Sequence, residues 1–235
     1  MKSCAALFAI LVCVSGGGAA AQDAKTKAAA PGAAVDLHGK LYRSVFSAGA
    51  DALTAADVER LPEALRARLT TYLSRRAAFK SQYAHASDTL EVMRTDAKKR
   101  AVERAIVSLL DVPGIEKLAV DFVTRAPIAY EWHGLHDAPL AEAAYAEGVL
   151  KGDPNSPLVP FLYVFIAHRQ RVAFEAFEAA KDEEGMKTSA RRYRAFAERA
   201  RAVEDPLFGA LMTDIDALPY VYLKATAHPR DYDAR

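Results

Sequence analysis

Residues 160–180 read PFLYVFIAHRQRVAFEAFEAA. Pro160 has no amide hydrogen to give and is tolerated in a helix only within its first turn, so it marks a helix start. Phe161 to Ala167 are then apolar all round. A helix of that kind is buried on every side, and this one is too short to cross a bilayer, so it belongs at the centre of a core. Further along the pattern becomes one-sided, with Ala173, Phe174, Ala176, Phe177 and Ala180 inward and Arg171, Glu175 and Glu178 outward.

The same periodicity spreads in both directions from this central helix. Gly185 separates it from a last long helix whose inner stripe is Met186, Ala190, Tyr193, Ala197, Ala200 and Val203. Before it, Asp137 and Pro139 open a helix that runs to the Gly152-Asp153-Pro154-Asn155-Ser156-Pro157 turn, and Ile115 to about Arg125 forms another, ending ahead of Pro127. Asp88 with Glu91 three positions on predicts a cap. The helix behind it carries Leu90, Met93, Ala97, Ala101, Ala105 and Leu109 on one face and stops before Pro113-Gly114. Leu61, Leu65, Leu69, Tyr72 and Leu73 recur at helical steps, with Thr54, Asp57 and Pro62 as start signals. Leu218-Pro219-Tyr220-Val221-Tyr222-Leu223 is the only stretch that could equally be a strand. The expected fold is therefore all-α.

Two stretches echo each other. Ala144-Tyr145-Ala146-Glu147 and Ala195-Phe196-Ala197-Glu198 lie 51 residues apart, and each is followed by an Asp-Pro, at 153–154 and 205–206. Small residues beside an aromatic let helices approach closely, and the proline then forbids continuation. The AxxxYAExxL pattern (Ala141, Tyr145, Ala146, Glu147, Leu150), the DPNSP turn and the aromatic helix after it loosely resemble the tetratricopeptide-like helical repeats of bacterial envelope proteins, over about residues 139–206. The echo spacing exceeds the roughly 34-residue period of that family. Stacked helical hairpins, in the manner of an α-solenoid, and an irregular helical bundle both remain open. The resemblance implies binding of a protein or peptide along a concave surface, with no chemistry of its own.

Composition and the N-terminus bound the function. Of 235 residues 51% are apolar and 26% charged, and 31 Lys+Arg against 30 Asp+Glu leave a net charge of +1, too little to draw the chain to nucleic acid. Lys2, the apolar run from Ala5 to Val14, and Ala19-Ala20-Ala21 form a secretory signal pattern with cleavage expected after Ala21. The expected organisation is a signal peptide at 1–21, a disordered tether at 22–34, an all-α domain at 35–227 and a polar tail at 228–235. A periplasmic or secreted location follows, with no integral membrane span after cleavage. Cys4 and Cys13, the only cysteines, both lie in the signal, so the mature chain would hold no thiol for a disulfide, a nucleophile or a thiolate metal site.

Motifs for chemistry are sparse. Glu131-Trp132-His133-Gly134-Leu135-His136-Asp137 offers His133 and His136 three apart, a spacing that on a helical turn lets two imidazoles ligate one divalent metal. Asp137, Glu131 or the distant His168 would complete the shell. The competing reading is an interhelical loop whose Trp132 packs on the core, with Asp137 capping the next helix. His168, beside Arg169, Gln170, Arg171 and Glu175, reads as a core-edge histidine bonded to a backbone carbonyl or as a shifted acid–base group. No GxSxG, GxxxxGK[ST] or GxGxxG occurs. Asp214 with Asp216, and Asp182-Glu183-Glu184, read as solvated helix-end carboxylates. Lys98-Lys99-Arg100 and the Lys187, Arg191, Arg194 and Arg201 series read as solvated faces.

The expectation is an exported, non-catalytic interaction protein with a protein or peptide partner in the cell envelope, no cofactor and no nucleic acid. A metal-binding protein or metal-dependent hydrolase on His133 and His136 is one alternative. A binder of small apolar ligands between helices, around Phe161, Phe165 and Phe174, is the other.

Overall fold

The computed structural model describes residues 37, 39–46, 53–84 and 89–217. These form helices and no strand: α1 (Lys40–Phe46), α2 (Ala55–Glu59), α3 (Glu63–Ala78), α4 (Leu90–Leu109), α5 (Ile115–Arg125), α6 (Asp137–Gly152), α7 (Val159–Ala180), α8 (Glu183–Arg201) and α9 (Pro206–Asp216). The fold is all-α, an irregular bundle rather than a clean repeat. The described residues belong to one compact unit, Ala34–Arg235. The expected signal, tether, tail and ambiguous 218–223 stretch lie outside them. Among the described residues no helix is long and apolar enough to cross a membrane.

The all-apolar start of α7 sits at the centre, as its composition requires. Phe161, Leu162, Val164, Phe165, Ile166 and Ala167 are fully buried. Phe122 of α5 meets the rings of Phe161 and Phe165 edge-on, with centroids 6.0 and 5.6 Å apart, a geometry that sets the positive ring edge on the negative face. α7 packs most extensively on α8 and α6, neighbours to which it is joined by short connections. Such connections enforce adjacent helices in bundles.

Helix ends account for much of the remaining architecture. Thr54 caps α2 through a reciprocal box with Asp57, as its sequence signals. The cap of α4 is Thr89, whose hydroxyl accepts from the Val92 amide; Asp88, the residue expected there, lies outside the described residues. α4 has no basic residue in its last turn. Arg75 of α3 supplies the missing donors, reaching the Val107 carbonyl at 2.8 Å and the Leu110 carbonyl at 3.0 Å, while Arg68 bonds the Leu109 carbonyl. These are carbonyls that a helix cannot satisfy for itself. At α1, Asp214 of α9 accepts from the Gly39 and Tyr42 amides at 2.7 Å each. Asp214 is thus a buried cap supplied from the far end of the chain, not the solvated carboxylate expected.

Several inward and outward assignments are corrected. Leu90 and Met93 are 63% and 49% exposed, because the first turns of α4 stand clear of the packed layer that buries Ala101, Ala105 and Leu109. Glu175, expected outward, is buried and accepts from Arg171 Nε at 3.3 Å. Asp137 opens α6 as its first residue rather than capping it; the cap position is His136, which makes no side-chain cap bond. The α7–α8 break falls at Lys181, in the left-handed region (φ 59°), with Asp182 capping α8 through the Gly185 amide. Gly185 lies inside the first turn of α8 for a different reason: a Cβ there would run into the Phe177 ring. Gly185→Ala is expected to lower stability by about 1–3 kcal/mol through this overpacking. An unchanged denaturation midpoint would show that the Phe177 ring yields without cost.

Candidate binding cleft

The second half of the central helix carries four consecutive polar residues, His168-Arg169-Gln170-Arg171. At 3.6 residues per turn each points roughly 100° from the last, so the four address different neighbours. His168 turns to α1, where its Nε2 is 3.1 Å from the Tyr42 hydroxyl and its ring stacks on Phe46 at 4.2 Å. Arg169 turns to α6, with Nε donating to Glu142 Oε2 at 2.9 Å. Arg171 lies over the Tyr193 ring of α8 at 5.8 Å. Gln170 is 2% exposed, and its Oε1 has no hydrogen-bond partner.

The His168–Arg169–Glu142 part is a closed structural network. Glu142, fully buried, also accepts from Trp132 Nε1 at 2.9 Å and the Ala129 amide at 3.2 Å. The Arg169 guanidinium lies 3.8 Å from the Phe165 ring centre and 5.2 Å from that of Trp132, so its charge is held by one carboxylate and several π faces. Arg169 Nη1 donates to His168 Nδ1 at 2.6 Å. That makes Nδ1 the acceptor and places the ring hydrogen on Nε2. Burial above all, and then the charges of Arg169 and Lys98, hold the His168 pKa well below the ordinary 6.5. His168 is neutral and engaged at both nitrogens by side chains, rather than standing on a backbone carbonyl as expected.

The histidine pair does not gather ligands. Residues 132–135 form a tight turn, closed by the Leu135 amide on the Trp132 carbonyl and passing through His133 (φ 50°) and Gly134 (φ 70°). His133 is exposed, with Nδ1 3.9 Å from Glu131 Oε1. His136 stacks on Phe177 at 4.1 Å, its Nδ1 3.1 Å from Asp137 Oδ1. Trp132 meets the core as expected. Among the described residues no three His, Cys, Asp or Glu side chains come together as a metal-holding group.

What the four-residue fan leaves open is the cleft beside Gln170. It has a volume of about 470 Å³ and is walled by Leu140 and Ala144 of α6, Gln170 and Phe177 of α7, and the start of α8 with Ser189 and Arg192. That volume falls within the roughly 300–1,000 Å³ of ordinary ligand sites. Arg192 bonds Glu147 through one terminal nitrogen, but its Nε is buried with no partner. Two residues of the wall therefore each carry a shielded side-chain atom without a partner, the acceptor Gln170 Oε1 and the donor Arg192 Nε. Phe161, Phe165 and Phe174, around which an apolar ligand was expected, do not line it. No protein-family model matches the chain, and no curated protein or solved structure matches it.

Proposed function

We propose that the chain is an exported, non-catalytic interaction protein that takes an extended peptide segment into the α6–α7–α8 cleft. One observation carries this: two residues of the same wall, Gln170 and Arg192, each hold a polar atom without a partner, Oε1 and Nε. An extended residue is the complementary group, since its own N–H and C=O point to the same side of the strand. The apolar faces of Leu140, Ala144 and Phe177 would take the neighbouring side chain. The tetratricopeptide-like pattern of α6 to α8 agrees with such a role, and export rests on the N-terminal signal pattern.

The reading predicts an unusual mutant. Gln170→Leu keeps the side-chain volume and removes a buried acceptor that has no partner. An unsatisfied buried polar group costs about 1–3 kcal/mol. The variant should therefore unfold at the same urea concentration as the parent or a higher one, yet lose affinity for capped apolar tetrapeptides by tenfold or more in calorimetric titration. A destabilised Gln170→Leu protein that still binds would refute the proposal.

A further inference from the structure

Resting on the peptide reading, the cleft also has a sign. Its α8 rim carries Asp182 and Glu184. Asp182 is engaged with the Gly185 amide, and among the described residues neither carboxylate has a cationic partner. Glu183 next to them is offset by Lys187 at 3.6 Å. Arg192, the only cation of the lining, is offset by Glu147. The amino end of α8 contributes roughly half a positive charge, which offsets only part of the two carboxylates.

We infer that the cleft selects a segment in which an apolar residue stands next to a basic one. The apolar side chain rests on Leu140, Ala144 and Phe177, its backbone runs beside Gln170 and Arg192, and the ammonium or guanidinium lies toward Asp182 and Glu184. No covalent step is involved. An acidic segment meets like charge at the rim and is turned away, a form of selection by repulsion.

The test uses three capped peptides, Ac-Gly-Leu-Lys-Gly-NH2 and its Gln and Glu counterparts, titrated into the full chain while amide chemical shifts are followed. At low salt the Lys peptide should bind about fivefold tighter than the Glu peptide, the ratio that ~1 kcal/mol from an exposed pair gives. The ratio should collapse toward one in 1 M salt, where the screening length is about 3 Å. Glu184→Gln should roughly halve the ratio without weakening the Gln peptide. Equal affinity for all three peptides, abolished by Gln170→Leu, overturns the charge preference and leaves the peptide reading standing. Preference for the Glu peptide overturns the inference by making Arg192 dominant. No binding of any of the three removes both.

Discussion

Glu142→Ala should lower folding stability by about 3–5 kcal/mol, the typical cost of breaking a buried ion pair by removing one partner. The carboxylate is fully buried and accepts from three donors, so its loss strands a guanidinium that is only 5% exposed, an indole N–H and a backbone amide. Against a total of roughly 5–15 kcal/mol for a domain of this kind, that is a large share of the stability. Urea denaturation followed by far-ultraviolet circular dichroism reads the change. The double variant Glu142→Leu with Arg169→Met supplies the control. Met suits the aromatic setting formed by Phe165, Trp132 and Phe46, and no buried charge is left unpaired. About half the stability should return, the remainder being held back by the Trp132 and Ala129 donors. A loss below 1 kcal/mol for Glu142→Ala would mean that water reaches the pair, and the network would then not be the closed one described.

The fold was legible because its signals are local and repeated. Pro160 and the seven apolar residues after it mark the start and burial of α7, and the Thr54–Asp57 box marks α2. Long-range roles were not legible. Asp214 lies more than 170 positions from the amides it caps, and no spacing rule links them. Arg68 and Arg75 fit the sequence pattern of an exposed face, yet they serve the carboxyl end of α4. The cleft falls between these cases. Gln170 lies four residues after Ile166 and three before Ala173, both fully buried, so helical periodicity alone puts it on an inward face. Glu142 in the Pro139–Ala146 stripe and Ser189 ahead of Tyr193 and Ala197 are marked by the same rule. A polar residue at an inward register position was the available signal. The clustered histidines carry no such signal, because clustering in sequence says nothing about convergence when the segment is a turn.

Acid should destabilise the protein through His168 before its carboxylates titrate. The sign follows from which state takes up the proton first. In the unfolded chain the imidazole binds a proton near pH 6.5; in the fold, burial, Arg169 and Lys98 hold its pKa well below that. Between the two values the unfolded state carries more protons, so stability falls as pH falls. The contribution is intact above pH 6.5, and below it the loss approaches about 1.4 kcal/mol per pH unit for one fully buried group. The described partners of the ring give no relief. Arg169 donates to Nδ1, the Tyr42 hydroxyl faces Nε2, and Glu142 is already committed to Arg169. Protonation would set an imidazolium against a guanidinium at 2.6 Å. Stability measured from pH 7.5 to 5.0 should therefore show this slope, and His168→Phe, whatever its absolute stability, should flatten it. Phe keeps the stack on Phe46 and cannot titrate, so a slope that persists in the variant would assign the acid sensitivity to another group and remove His168 from the account.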